Sequence, residues 1–236
     1  MEKIVVESSG YRLSVVFHRP TADDYPVVIC CHGLLSYKDS DKYRTIASAL
    51  GKEQIGVVRF DFRGCGESEG ELSNSHVSAR LQDLKNVMEY VRGIEGFNGK
   101  LGLVGSSLGG FLSFLAAIEA EYEIPLALWA TPISLKPLVS RIKASSILPF
   151  EPSTEYLDDL EKYEPSSQLD KLKKVLILHG SRDELVEPWN ALEIFSGVDL
   201  PKELHVLNDA DHRFTNHGAR SFAVNATSEW FKRYLS

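Results

Sequence analysis

The chain has 236 residues, of which 43% are apolar and 25% charged, and a formal net charge of −7. These values suit a soluble globular protein of one large domain, 1–236. They exclude the basic footprint that nucleic acid requires. No apolar stretch approaches the length of a membrane span. Met1-Glu2-Lys3-Ile4-Val5-Val6 lacks a signal-peptide apolar run, so a cytoplasmic protein is expected. Three cysteines make no disulfide framework, and buried free thiols are expected at Cys30 and Cys31.

In chain order, Val5-Val6-Glu7 and Leu13 to Phe17, separated by Ser8-Ser9-Gly10, predict an N-terminal hairpin. Val27 to Cys31 is a continuous apolar run, as in a strand covered on both faces. Adjacent Cys30 and Cys31 then point to opposite sides. Ile55 to Phe60, Leu101 to Val104, Leu126 to Trp129 and Val175 to Leu178 read alike, and Leu204 to Leu207 is the last strand. Helical spacing lies between them. Thr45 to Leu50 predicts a helix stopping at Gly51. Leu81, Leu84, Val87, Met88 and Val91 predict another, with Ser75 as its N-cap. Pro188 opens a helix carrying Ala191, Leu192 and Phe195, and the last helix carries Phe222, Val224, Trp230, Phe231 and Tyr234. Alternating strands and helices imply an α/β fold with a mainly parallel sheet, whose chemistry collects at the carboxyl ends of the strands. One stretch breaks the alternation. Residues 131–170 carry five prolines and the acidic run Asp158-Asp159-Leu160-Glu161, and predict a small cap of two or three short helices over that edge.

Gly105-Ser106-Ser107-Leu108-Gly109 joins the run ending at Val104 to the helical run Gly110 to Ala116. A serine on such a strand-to-helix turn sits in a strained conformation, with helix N–H groups beneath its hydroxyl. Ser106 fits worse, because its frame would place Val104 and Leu108 where glycines are needed. A serine hydroxyl needs a base, and the base an orienter. Val175 to Leu178 runs on into His179-Gly180-Ser181-Arg182-Asp183, which places Asp183 just beyond a strand end; Glu184 and Glu187 are its rivals. His212 lies on the loop after the last strand, whereas His205 lies within that strand and His217 starts the last helix. The order Ser107, Asp183, His212 matches a nucleophile–acid–base sequence used by this type of fold. The oxyanion donors expected are the amides of Leu108 and, after His32-Gly33, of Leu34 in preference to Leu35, with His32 bracing the loop.

His32-Gly33, Asp61 to Ser68, Gly105 to Gly110, His179 to Asp183 and Asp211-His212 together resemble the α/β-hydrolase superfamily, nearly end to end. They look most like small-lid serine hydrolases: carboxylesterases, cinnamoyl or feruloyl esterases and monoacylglycerol-lipase relatives. The resemblance implies an eight-stranded, mostly parallel sheet and a Ser107–Asp183–His212 triad. It also makes Asp61 to Ser68 a structural turn. The expected activity is hydrolysis of short-to-medium acyl or aromatic esters, with Leu35, Ile133 and Leu138 lining the pocket. No cofactor and no metal are expected, for the chain lacks His-Glu-x-x-His, paired Cys-x-x-Cys and a phosphate-cradling loop. The partners expected are a small-molecule ester and a second copy of the chain, as a homodimer. Alternatives are a proline-iminopeptidase-type peptidase, a thioesterase or an acyltransferase using the same triad, and a non-catalytic binding protein on this fold.

Overall fold

In the computed structural model, which describes residues 1–145 and 147–235, the expected hairpin forms first. β1 (Glu2–Ser8) and β2 (Tyr11–His18) pair antiparallel across a turn at Ser9 and Gly10. β2 then pairs antiparallel with β4 (Gly56–Phe60), the only other antiparallel pairing among the described residues. The remaining strands are parallel: β3 (Tyr25–Cys31), β5 (Phe97–Ser106), β6 (Leu126–Trp129), β7 (Val175–Gly180) and β8 (Lys202–Leu207). The eight strands run in the order β1-β2-β4-β3-β5-β6-β7-β8. Consequently the loops after β3, β5, β7 and β8 all open on one edge.

The continuous apolar strands follow from burial on both faces. Val27, Ile29 and Cys31 face one core cluster, and Val28 and Cys30 face the other. The first is covered by α2 (Val77–Arg92), α3 (Leu108–Glu119) and α6 (Trp189–Gly197); the second by α1 (Asp41–Lys52) and α7 (His217–Leu235). Cys30, Cys31 and Cys65 are buried free thiols. Between β6 and β7 run α4 (Lys136–Ala144), α5 (Thr154–Glu161) and a 3-10 segment, Pro165–Lys171. Val139, Ile142, Leu148, Tyr156 and Leu160 of this stretch join the first core cluster.

Two helix ends differ from expectation. Gly51 lies inside α1, whose last turn closes at Glu53 with Gln54 at φ 58 taking the left-handed position instead. The N-cap of α2 is His76, whose ring accepts from Ala79 N, and not Ser75. A short 3-10 turn, Leu72–Asn74, consumes the residues before it and leaves Ser75 as its final cap.

The Asp61 to Ser68 turn is structural, as expected. Asp61 is fully buried and accepts from Lys38 N and Nζ (2.6 and 2.7 Å) and from Glu67 N (2.9 Å). Arg63 pairs with buried Asp83 of α2, which ties the turn to that helix.

Candidate active site

Ser107 stands between β5 and α3 at φ 56 and ψ −126, a conformation costly for any residue with a side chain. The surroundings impose it. A Cβ on Gly105 would lie 2.3 Å from Gly109 O, and one on Gly109 would lie 2.0 Å from Cys31 O. The turn thus closes only with glycine at both places. Ser107 N donates to Trp129 O (2.8 Å), which locks the turn to the end of β6. Leu108 is the first residue of α3, so its amide lies among the unpaired N–H groups of the helix start.

β3 and β5 pair with Cys31 opposite Gly105, so the loop after β3 emerges beside the serine turn. A Cβ on Gly33 would lie 3.5 Å from Ser107 Cβ, which measures how closely that loop approaches. Phe62 N donates to His32 Nε2 (3.1 Å), leaving the proton on Nδ1, which donates to Gly33 O (2.8 Å). Burial, with Arg80 nearby, pushes His32 down to about 3. It is a neutral brace, not a base.

Asp183 and His212 meet across the ends of β7 and β8. His212 Nδ1 lies 2.9 Å from both Asp183 oxygens, so Nδ1 carries the proton and Nε2 is the acceptor. Asp183 Oδ1 also accepts from Leu185 N (2.9 Å) and Val186 N (2.8 Å), and His179 Nε2 lies 3.2 Å from Oδ2. Burial by itself would raise this carboxyl. The hydrogen bonds from His179, His212 and Val186 outweigh burial and hold it well below the usual carboxylate range. The two loops touch because residue 180 is glycine: a Cβ there would sit 2.2 Å from Ala210 O. Glu184, a rival acid in the sequence, instead accepts from the backbone N of His212 (3.2 Å). Glu187 takes the indole N–H of Trp189 (2.8 Å).

The serine turn and the histidine loop are joined through aromatic rings. Trp129 and Phe214 lie 5.0 Å apart, and Phe214 follows His212 by two residues at φ 55. Of the expected lining residues, Leu35 is exposed, whereas Ile133 is buried with its N on Asn190 Oδ1 (3.1 Å). Leu34 and Leu138 are partly buried against the first core cluster. Among the described residues, no group of three or more His, Cys, Asp or Glu is arranged to hold a metal. No helix among them is long and apolar enough to cross a membrane.

Two cations beside this site escaped the sequence reading. Lys42 of α1 donates to Ser106 Oγ (2.8 Å) and lies over the rings of Trp129 and Phe214, 5.4 and 5.6 Å from their centroids. Burial pushes its amine down to about 7. Arg80 of α2 is fully buried and faces the carbonyls of the loop after β3. A signal existed for each. Lys42, Ile46 and Leu50 are spaced by four, and Arg80 shares the inward stripe of Leu84, Val87 and Val91.

The family model described as serine aminopeptidase, S33, matches residues 23–152. An uncharacterized protein of Salmonella typhi, YfhR, is 29% identical over 211 residues, covering 86% of this chain and 69% of that protein. A mouse protein named palmitoyl-protein thioesterase ABHD10, mitochondrial, is 27% identical over 215 residues, covering 80% and 69%. Among solved structures, Est1E of Butyrivibrio proteoclasticus with ferulic acid bound superposes with a TM-score of 0.87 at 18% identity, covering 98% of each chain. That likeness is one of fold, the α/β-hydrolase architecture. The family match spans more than half of the chain, and the chain belongs to the serine aminopeptidase S33 family of α/β-hydrolases.

Proposed function

We propose that this S33-family chain hydrolyses carboxylic esters through an acyl-enzyme, with Ser107 as nucleophile, His212 as base and Asp183 as its orienter. The observation that carries the reading is the His212–Asp183 pair, 2.9 Å to both oxygens, on the sheet edge where Ser107 is held at φ 56. In this mechanism Ser107 Oγ attacks the ester carbonyl while His212 Nε2 takes its proton. The amides of Leu34 and Leu108 receive the oxyanion. His212 then protonates the departing alcohol, and water repeats the sequence on the acyl-enzyme. Asp183, ionised throughout, keeps the imidazole in the Nδ1–H tautomer.

Residues 131–170 act as the cap and, with Leu35, Ile133 and Leu138, form the acyl pocket. An apolar pocket of modest size favours short-to-medium or aromatic acyl groups, each buried methylene adding about 0.8 kcal/mol. A second reading, thioester hydrolysis, draws on the mouse relative named as a thioesterase, since the same steps serve a thiol leaving group. An aminopeptidase would need a carboxylate for the substrate's amine. Of the cap acids, Glu151, Glu155 and Asp158 are exposed, and Asp159 is engaged by Ser78 N (2.9 Å) and its hydroxyl.

The test is fluorophosphonate labelling with mass-spectrometric mapping, beside parallel assays on graded p-nitrophenyl esters, matching thioesters and aminoacyl amides. We expect an adduct on Ser107 and fastest turnover of short-to-medium or aryl esters. An unlabelled, folded chain overturns the hydrolase reading; fastest turnover of aminoacyl amides overturns the ester assignment.

A further inference from the structure

Arg80 is wholly buried, yet among the described residues no carboxylate lies within 4.0 Å of its guanidinium. Its partners are oxygens and sulfur without formal charge. Nε donates to Ser75 O (2.9 Å), Nη1 to Gly33 O (3.4 Å) and Nη2 to Leu34 O (3.1 Å) and Cys65 Sγ (3.3 Å). The guanidinium also lies 5.2 Å from the centroid of the Phe62 ring. Burying a cation without an anion is expensive, and an apolar side chain of similar volume would satisfy packing alone. The cost calls for a return elsewhere.

The return lies in the geometry of the peptide bond. In a planar trans peptide the C=O of Gly33 and the N–H of Leu34 point in opposite directions. Gly33 O is held by two donors, His32 Nδ1 at 2.8 Å and Arg80 Nη1 at 3.4 Å. The Leu34 amide is therefore turned away from both. The next carbonyl, Leu34 O, is held by the other arm of the same guanidinium, so two successive peptide planes are fixed by one rigid fork. Gly33 meanwhile packs against Ser107.

We propose that Arg80 is the positioning residue of the oxyanion loop: its fork draws the Gly33 and Leu34 carbonyls toward α2, aims the Leu34 amide at the oxyanion over Ser107, and leaves an unneutralised positive charge behind that amide. This rests on the serine-hydrolase reading. Arg80 touches neither substrate nor reacting atoms; it acts through the loop. Cys65, Ser75 and Phe62 complete its cage, and Cys65 and Phe62 belong to the same turn that Asp61 and Arg63 anchor.

The experiment compares the unmutated chain with Arg80→Met and Arg80→Lys. For each it measures kcat and KM on a p-nitrophenyl ester, the second-order rate of fluorophosphonate labelling, and thermal unfolding. Losing a whole oxyanion donor costs about 100- to 1,000-fold in kcat. Misaiming one costs less, and Arg80→Met is expected to lose about 10- to 100-fold in kcat and in labelling rate, with KM changed less than about threefold. Arg80→Lys, which keeps the charge but reaches one carbonyl, recovers part of both. If Arg80→Met fails to fold, Arg80→Lys decides alone, supported by the Leu34 amide proton: it should shift downfield on phosphonylation of the unmutated chain, and less in the variant. A folded variant that labels and turns over at the parent rate, or a loss confined to KM, overturns the proposal. An unmutated chain that does not label overturns the hydrolase reading first, and this proposal with it.

Discussion

Lys42 gives a quantitative test of how the sheet edge treats charge. Its amine lies over the adjoining rings of Trp129 and Phe214, with Ser106 as its hydrogen-bond acceptor. Burial lowers its pKa from 10.5 to about 7; Arg220 of α7 and Arg213 of the histidine loop push the same way, and Asp211 and Asp183 oppose them. Between those two values the unfolded chain binds a proton at Lys42 that the folded chain does not, so this group's stability is complete above 10.5 and is lost as pH falls to 7. Integrating the linkage gives a penalty of about 4 kcal/mol at pH 7 and about 2 kcal/mol at pH 9, both upper bounds because water reaches part of the side chain. Lys42→Met removes that term. It also removes the bond to Ser106 and the packing on the two rings; the neutral amine's share of these is constant with pH, and the charged amine's share is already contained in the shifted pKa. Cys31, pushed up to about 12 by burial, and the raised Cys30 and Tyr43 lower stability above pH 9 in both proteins, and cancel in the difference. Urea unfolding of both proteins at pH 7, 8 and 9 should therefore show the stability difference, variant minus parent, falling by up to about 2 kcal/mol over the range. Parallel curves, with a constant difference, would refute the reasoning.

Ser107→Ala should abolish ester turnover and fluorophosphonate labelling while Ser106→Ala keeps both, as measured by initial rates and intact-mass analysis. Asp183→Asn should lower kcat by about 10,000-fold with a small change in KM, because it releases the Nδ1–H tautomer and leaves the binding surfaces in place; steady-state kinetics would show it. Gly180→Ala should cost most of the activity without touching a proposed catalytic group, because its Cβ would fall 2.2 Å from Ala210 O and force the His212 loop away. A crystal structure of that variant with the loop unmoved would contradict this.

The strands were legible because burial on both faces leaves unbroken apolar runs, and the sheet contains every run that predicted a strand. Their ends were less so. β5 extends to Ser106 and β7 to Gly180, since a strand's final residues pair by backbone whatever their side chains. The apolar spacing predicts α1 only from Thr45, whereas the helix begins at Asp41 and Lys42 occupies an inward position. Asp183 and His212 are singled out by chain order, and the structure brings them within 2.9 Å of each other. Arg80 could not be weighed in the same way. A charged residue on an apolar stripe reads as a packing exception until the carbonyls it faces are known, and those belong to a loop 46 and 47 residues earlier.

Arg80 and Lys42 flank the same strand ends from opposite faces, for α2 packs in one core cluster and α1 in the other. A chain of net charge −7 thus places two basic side chains at its candidate site, neither facing a carboxylate at ion-pair distance among the described residues. Their environments treat them differently. In the proposed mechanism negative charge grows on the substrate oxygen beside the loop that Arg80 holds, and positive charge grows on His212, whose loop supplies the Phe214 ring over Lys42. A fixed cation is useful on the first side and harmful on the second, where it would repel the imidazolium. Arginine stays charged even when buried, whereas lysine yields its proton to desolvation. Arg80 stands behind the oxyanion loop, and Lys42, which burial brings to about 7, stands over the Phe214 ring of the histidine loop.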